Sequence, residues 1–375
     1  MRTLSQKVVI ALNTAWNLVN FRAGLIRALV ASGYEVVAVA PPDEYAGRLD
    51  ALGCRYCPLP MDNKGTHPGR DLLLLWRFFC ILRNEGPAVF LGYTVKPNVY
   101  GSLAAHALKI PVINNIAGLG VVFAKDSWLT RVVRGLYRLA LSRSVCVFFQ
   151  NSDDLEQFVT SGVVRREVAG RVPGSGVNLE RFEITALPNV GERVRFLLVA
   201  RMLWDKGVGE YVEAARIVKR RFHNAEFCLL GFLDVQNPTA ISREQMSIWT
   251  KAGYVRYLGV SDDVRNEIAE ADCVVLPSFY REGVPRSLLE AAAMGRPIIT
   301  TDAVGCKEVV EDGITGFLCQ QRNAEDLAEK MLKIIELSPA AREEMGRRGR
   351  AKVEMEFDEK IVIGRYLEAV KEILG

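Results

Sequence analysis

Short apolar runs and longer amphipathic stretches alternate along the first half of the chain. Aliphatic and β-branched residues fill the runs at 8–12, 88–91 and 145–149, and apolar positions recur at helical spacing between them, as in 21–32 and 99–108. A short run that is apolar throughout is typical of a strand buried on both faces, and its alternation with helices predicts a parallel sheet covered on both sides. The first half is therefore predicted to be a doubly wound α/β domain.

The same alternation restarts in the second half, after a stretch rich in turn residues. The segments RVPGSGVN (171–178) and ALPN (186–189) interrupt the pattern, and a new buried run begins at Arg195. We predict two Rossmann-like domains, at 1–185 and 190–355. In open α/β sheets, ligands bind beyond the carboxyl ends of the strands, so the loops at those ends are where function is sought.

Composition places the chain among ordinary globular proteins. Of the 375 residues, 49% are hydrophobic, which is enough for the cores of about two domains. The formal net charge of +4, without a nucleic-acid reader motif, excludes nucleic acid as an expected partner. The apolar stretch 8–12 is too short for a signal peptide, and the run 72–82 is too short to span a membrane. We expect a cytoplasmic protein that touches a membrane at most peripherally.

The cysteines and the paired acids do not predict a metal site. Cys54-x-x-Cys57 has no second pair, and only three histidines are present. Asp153 and Asp154 follow Asn151 at the start of a helical pattern, where such residues cap the helix. We expect reduced, packed thiols and no catalytic divalent ion.

A glycine-containing loop in the second half has the chemistry of a diphosphate site. The loop 278–285 follows the apolar run 273–276 and leads into a helix, whose first N–H groups and positive dipole end attract anions. Glu282 lies on the loop and Glu290 lies eight residues later, within the helix. Either carboxylate can accept hydrogen bonds from vicinal hydroxyls, one holding a ribose and the other a sugar. Two solvated acids would give the same spacing.

The motifs of the second half resemble those of retaining GT-B glycosyltransferases of family 4. The segment EGVP (282–285) followed by Glu290 is similar to the family's E-x7-E signature, and RMLWDKG (201–207) is similar to its R-x4-K-G element. The segments GCKE (305–308) and 311–318 extend the resemblance over the whole second domain.

The resemblance implies a GT-B fold, with a C-terminal helix in 356–375 that packs back on the first domain. It also implies a metal-independent enzyme that uses a UDP-sugar as co-substrate and no cofactor. Glu282 would contact the donor sugar, and Arg201 and Lys206 would neutralise the diphosphate. The implied donor-binding residues are Glu290, Gly283, Val284, Pro285, Ser287 and Leu288.

The first domain resembles, more narrowly, family members that extend polyprenyl-diphosphate-linked saccharides in bacteria. The resemblance is carried by the segments 93–101, 114–120 and 150–154. It implies retaining transfer of a hexosamine to a lipid-linked saccharide. A transferase with a soluble acceptor, a non-hydrolysing UDP-sugar epimerase and a nucleotide-sugar-binding module stay open. The candidate acceptor residues are Asn13, Trp16, Asn17, Lys96, Asn98, Asn115, Gly118 and Gly120.

The stretch 125–143 is an amphipathic helical pattern that suits a membrane surface. Arg131, Arg134 and Arg138 form one stripe, and Trp128 lies at one end. An opposing apolar band is formed by Leu129, Val132, Val133, Leu136 and Leu139. A basic stripe with an aromatic anchor favours an anionic membrane, and we expect a peripheral location at the inner face of the plasma membrane. A helix packed on the sheet with solvated arginines would show the same pattern.

Overall fold

The computed structural model describes residues 6–62, 67–118, 128–188 and 193–375. The chain divides into two compact units: unit 1 is Met1–Ser175 with Glu359–Gly375, and unit 2 is Gly176–Asp358. The first boundary lies ahead of the predicted one because Val177 and Phe182 are buried in the core of unit 2. The Val177 N–H also donates to the Phe357 carbonyl of the same unit.

The described part of unit 1 contains a seven-stranded parallel sheet with the order β3-β2-β1-β4-β5-β6-β7. The strands are β1 (Lys7–Ala11), β2 (Glu35–Ala40), β3 (Arg55–Pro58), β4 (Val89–Tyr93), β5 (Val112–Ile116), β6 (Cys146–Phe149) and β7 (Ala169–Arg171). In β1, Ile10 pairs with Ala38 of β2 and with Leu91 of β4. The strand order reverses between β1 and β4, which makes their carboxyl ends the switch point where ligands bind in such sheets.

Helices cover both faces of this sheet, as the alternation of the sequence predicts. They are α1 (Ala15–Phe21), α2 (Ala23–Ala31), α3 (Pro68–Glu85), α4 (Ser102–Ala107), α5 (Trp128–Leu141) and α6 (Ser152–Thr160). Alternate residues of β1 pack on opposite sides: Val8 and Ile10 lie in one apolar cluster, and Val9 and Ala11 lie in a second cluster beneath α3. Burial on both faces explains why the strand is apolar throughout.

Two segments of unit 1 depart from a continuous α-helix. The predicted helix at 21–32 is interrupted at Arg22, whose backbone has φ of −130° and whose guanidinium stacks over the Tyr93 ring at 4.5 Å. The segment 45–52 forms two single 3₁₀ turns, and Gly53 ends the second turn in the left-handed conformation, with φ of +80°.

Unit 2 contains a six-stranded parallel sheet, within its described residues, with the order β10-β9-β8-β11-β12-β13. The strands are β8 (Arg195–Val199), β9 (Glu226–Leu230), β10 (Arg256–Tyr257), β11 (Cys273–Leu276), β12 (Ile298–Thr301) and β13 (Gly316–Cys319). The helices are α7 (Val208–Lys219), α8 (Arg243–Lys251), α9 (Arg265–Ala269), α10 (Arg286–Ala293), α11 (Ala324–Glu336) and α12 (Pro339–Glu356). The order reverses between β8 and β11, so these two strands define the switch point of unit 2.

The last helix, α13 (Glu359–Leu374), belongs to unit 1. Tyr366 is buried there between two aromatic rings, with its centroid 5.8 Å from that of Tyr93 and 4.9 Å from that of Phe148. Its hydroxyl accepts a hydrogen bond of 3.0 Å from the Asn115 side chain. The predicted return of the C-terminal segment to the first domain is thus observed, and these contacts hold it there.

Candidate functional site

The loops that follow β8 and β11 meet at the switch point of unit 2. Gly207 is essential to this meeting: its φ is +73°, and a Cβ atom there would lie 2.0 Å from the Pro277 carbonyl oxygen. Only glycine permits this approach. The turn that carries Lys206 is therefore packed against the end of β11, where the loop with Glu282 begins.

Lys206 and Glu282 form an ion pair at this edge. The Lys206 Nζ lies 2.5 Å from Glu282 Oε2, and their side chains are only 11% and 15% exposed. The Ser278 hydroxyl donates to Glu282 Oε1 over 2.9 Å. The Lys206 ammonium also lies 5.7 Å from the centre of the Tyr280 ring. Both carboxylate oxygens are thus held in place, and a positive charge lies at the carboxyl edge of the sheet.

Arg201 adds a second cation to the same region. It is exposed directly beyond β8. Burial raises the pKa of Tyr280, and the positive charge of Arg201 opposes that rise, so the guanidinium lies within electrostatic range of the phenol. The structure thus pairs Lys206 with Glu282 and places Arg201 near Tyr280, and the binding of a diphosphate and a sugar by these residues stays a prediction.

The loop after β12 packs closely against the loop that carries Glu282. Gly305 has φ of +84°, and a Cβ atom there would lie 1.5 Å from the Gly283 carbonyl oxygen. The next residue, Cys306, is fully buried, and burial raises the pKa of its thiol to about 12. A protonated thiol is a poor nucleophile, so Cys306 packs beneath the site rather than reacting in it.

Glu290 lies in α10 and is paired within the helix. Its Oε1 accepts a hydrogen bond of 3.0 Å from the Nε of Arg286, one turn earlier, and both side chains are nearly buried. Burial raises the pKa of Glu290, while the charges of Arg286 and Arg181 act in the opposite direction. The arrangement offers a carboxylate oriented by a guanidinium near the start of α10.

The remaining candidate donor residues differ in accessibility. Val284 and Leu288 are buried in the apolar core of unit 2, so only their backbone groups are left to contact a donor, and their donor-binding role stays a prediction. The Leu288 N–H bonds to the Pro285 carbonyl. The Ser287 side chain is half-buried.

The switch point of unit 1 contains a cavity of about 240 Å³. Of the candidate acceptor residues, Asn13, Lys96, Asn98 and Gly118 line it. Thr94 lines it as well and has φ of +59°, an unfavourable backbone conformation for threonine that is typical of functional sites. A π-helical turn, Pro97–Gly101, follows directly.

Several candidate acceptor side chains are engaged within unit 1. The Lys96 Nζ lies 2.7 Å from Asp71 Oδ1 of α3. The Asn98 amide donates to the Asn115 carbonyl, and the Asn115 side chain binds Tyr366, so both asparagines belong to a buried polar network. The Asn115 side chain also accepts from the Gln150 amide over 3.2 Å, so both of its polar groups are engaged within unit 1.

The other two described acceptor candidates lie in and around α1. The Asn17 side chain donates to Asn13 Oδ1 over 2.9 Å. Trp16 packs on the apolar core and meets Phe21 edge to face. Gly120 lies outside the described residues.

The exposed face of α5 differs from the predicted one. Arg131 and Arg138 are exposed, but Val132 and Leu139 lie on the same face, 49% and 60% exposed. Val133 and Leu136 pack on the core, while Arg134 is half-buried. Of the predicted apolar band, the helix thus packs Val133 and Leu136 on the core and leaves Val132 and Leu139 exposed. Trp128 begins α5, and its side chain lies outside the described set.

The residues considered for metal binding have structural roles. The Asn151 side chain caps α6 by accepting from the Asp154 N–H over 2.7 Å, as the sequence predicts for this segment. Burial raises the pKa of Cys54 to about 11 and also raises that of Cys57. Across the described ranges, no group of three or more His, Cys, Asp or Glu side chains is placed to hold a metal ion.

Two residues of the unit 2 site were missed by sequence reasoning. The spacing of Arg286 and Glu290, four residues apart in a predicted helix, is a recognised ion-pair signal and could have identified Arg286. Ser278 gives no such signal, because its contact with Glu282 depends on the path of the loop.

Comparison with known proteins gives family and structural matches to both units. Residues 193–337 match the family model described as glycosyl transferases group 1, and residues 20–173 match a glycosyl transferase 4-like domain. The chain is 29% identical to N,N'-diacetylbacillosaminyl-diphospho-undecaprenol alpha-1,3-N-acetylgalactosaminyltransferase of Campylobacter jejuni, over 96% of each chain.

Two further matches agree in class and fold. The capsular polysaccharide biosynthesis glycosyltransferase CapM of Staphylococcus aureus is 25% identical, over 78% of each chain. The crystal structure of Anabaena HepE in complex with UDP and glucose superposes with a TM-score of 0.78 at 16% identity, covering 98% of this chain and 99% of that one.

Replacing Arg286 with Gln should raise the pKa of Glu290 further, because it removes the cation that stabilises the carboxylate. A carbon-detected NMR titration of the glutamate side chains measures the shift. Arg347→Gln is the matched control, since Arg347 pairs with the exposed Glu344 of α12. An unchanged or lower pKa for Glu290 in the Arg286 variant would contradict the assigned pair.

Proposed function

Because the chain belongs to the glycosyl transferases of group 1, we propose that it is a retaining transferase that moves a hexosamine from a UDP-sugar to a polyprenyl-diphosphate-linked saccharide. The two parallel-sheet units have the GT-B fold. The observation that carries the proposal is the Lys206–Glu282 ion pair at the switch point of unit 2, with Arg201 exposed directly beyond β8. Similarity along nearly the whole chain to a transferase named for a lipid-linked acceptor supports the acceptor class.

The unit 2 site suits the departure of a nucleoside diphosphate. In the reaction, the bond between the anomeric carbon and the diphosphate breaks, an acceptor hydroxyl bonds to that carbon, and the hydroxyl proton is released. Negative charge grows on the departing diphosphate, and fixed cations stabilise it most in the transition state. Arg201 and Lys206 supply two such cations.

The Lys206–Glu282 pair links binding of the diphosphate to binding of the sugar. In the structure, each charge neutralises the other. A diphosphate near Lys206 would compete for the ammonium and leave Glu282 Oε2 able to accept from sugar hydroxyls, while Ser278 still holds Oε1. Glu290, oriented by Arg286, would accept from the ribose hydroxyls.

The surface of unit 1 supports contact with a membrane. The side of α3 that faces solvent carries Leu72, Leu73 and Trp76, and Leu72 and Trp76 are 68% and 61% exposed. Large exposed apolar side chains grouped on one helix are typical of interaction surfaces. Arg131 and Arg138 on α5 add positive charge. In the described segments, no helix combines the length and the apolarity that crossing a bilayer demands. The proposal is peripheral binding at the cytoplasmic face.

Product analysis by mass spectrometry tests the proposal. The protein is incubated with UDP-hexosamines and a short polyprenyl-diphosphate-linked saccharide. A saccharide longer by one hexosamine, with the anomeric configuration of the donor, is the expected product. Transfer only to water-soluble saccharides would contradict the acceptor class, and epimerised UDP-sugar formed without an acceptor would contradict transfer itself.

Glu282→Gln should lower kcat by about 100-fold while changing UDP affinity little, because a contact with the transferring sugar acts mainly in the transition state. Glu290→Gln should instead weaken UDP binding. Steady-state kinetics and calorimetry with UDP measure the two effects. Glu329→Gln, on the exposed side of α11, is the matched control. Near-normal turnover in the Glu282 variant would remove Glu282 from the site.

Activity should survive EDTA, because Arg201 and Lys206 take the role that a divalent ion has in metal-dependent transferases. Product formation is compared with and without the chelator, after the protein has been treated to remove metals. A strict requirement for added Mg²⁺ or Mn²⁺ would show that a divalent ion, and not these two side chains, neutralises the diphosphate.

Reversing Arg131 and Arg138 to Glu should reduce binding to anionic liposomes, since each arginine near the surface contributes about 1 kcal/mol of attraction. Co-sedimentation measures binding, and high salt should weaken it in the parent protein. Reversing Arg347 and Arg348 on α12 makes the same change of charge in unit 2 and is the matched control. Equal binding by the α5 variant and the parent would exclude α5 from the membrane contact.

A further inference from the structure

A second cavity at the carboxyl edge of the unit 1 sheet is rich in positive charge. It has a volume of about 400 Å³, and the segments that follow β2 and β3 form part of its wall. The first turn of α3 contributes Arg70, Arg77 lies about two turns further along the same helix, and Lys96 follows β4. Among the described lining residues, Asp62 is the one acid. Three cations therefore line one cavity.

The two arginines keep most of their charge available to a ligand. Arg70 pairs with Asp62 at 3.2 Å, but its side chain is 68% exposed, and such surface pairs contribute little. Arg77 donates to the neutral Pro60 carbonyl at 3.2 Å, a contact that does not offset its charge. Lys96 is held by the nearly buried Asp71 at 2.7 Å, which fixes its ammonium. The guanidinium groups are the cavity's main anion-binding groups.

This basic cavity lies between two features already described. Lys96 lines both this cavity and the 240 Å³ cavity at the switch point. On the other side, Leu73 lines the basic cavity and is also exposed, next to Leu72, on the apolar side of α3. A small cavity, a group of cations and an exposed apolar surface thus follow one another across unit 1.

We propose that the basic cavity binds the diphosphate of the lipid-linked acceptor. The attached sugar then occupies the switch-point cavity, and the lipid chain runs along the apolar side of α3. The order of the three features matches the order of sugar, diphosphate and lipid in the molecule, and guanidinium groups bind phosphate oxygens in pairs. This inference rests on the proposed class of acceptor.

The test is the affinity for farnesyl diphosphate in detergent micelles, measured by calorimetry. The double variant Arg70→Gln, Arg77→Gln should bind it at least tenfold more weakly, because two charged contacts are lost. Its affinity for UDP, which depends on unit 2, should not change. Arg83→Gln removes one positive charge, as Arg70→Gln alone does, from an exposed position of α3 outside the cavity, and should change the affinity less than twofold.

Three outcomes would overturn the inference: unchanged binding by the double variant, equal weakening by Arg83→Gln, or no binding of farnesyl diphosphate by the parent protein. Equal weakening in both variants would mean that the protein binds farnesyl diphosphate through general attraction to its anionic headgroup and not through this cavity. Should the double variant not fold, Arg70→Gln alone, at an exposed position, keeps the test decisive. Transfer to the lipid-linked saccharide by the parent protein is assayed separately. If the parent protein transfers no sugar to the lipid-linked saccharide, the proposed function is contradicted. The calorimetry with farnesyl diphosphate would still show whether the basic cavity binds a lipid diphosphate.

Discussion

The parallel order of the two sheets is the constraint on which the candidate sites depend. In a parallel sheet, the carboxyl ends of all strands lie at the same edge. The strand order reverses beside β1 in unit 1 and beside β8 in unit 2, so the loops that leave the two neighbouring strands run to opposite sides of the sheet and leave a crevice between them. In unit 2, the segments after β8 and β11 become neighbours although about 75 residues separate them in sequence. Gly207 and Gly305 allow the backbone contacts that complete this arrangement.

The Lys206–Glu282 pair shows what that arrangement achieves chemically. A buried charge is costly unless it is paired and hydrogen-bonded, and here each ion satisfies the other while Ser278 holds the second carboxylate oxygen. Such a pair is a poor source of stability, because desolvation offsets much of its attraction. In the proposed function, the pair keeps an ammonium and a carboxylate in position for two parts of one substrate.

The sequence predicted those features that depend on neighbours along the chain. Apolar runs identified the strands, and the motifs around Arg201 and Glu282 identified residues that the structure brings together. Features that depend on distant partners were missed. Asn115 follows the strand pattern, but its partner Tyr366 lies 251 residues later, so its burial could not be foreseen. The break at Arg22 has the same origin, since the ring that holds its guanidinium belongs to β4.

The crystal structure of the chain with UDP tests the central claim most directly, because it locates the diphosphate and the ribose separately. We expect the diphosphate oxygens within hydrogen-bond distance of Arg201 and Lys206, and the ribose hydroxyls on Glu290. We also expect the distance from Lys206 Nζ to Glu282 Oε2 to exceed the 2.5 Å of the unliganded pair. UDP bound away from the β8–β11 switch point, or bound there with Lys206 and Glu282 still in contact, would contradict this account.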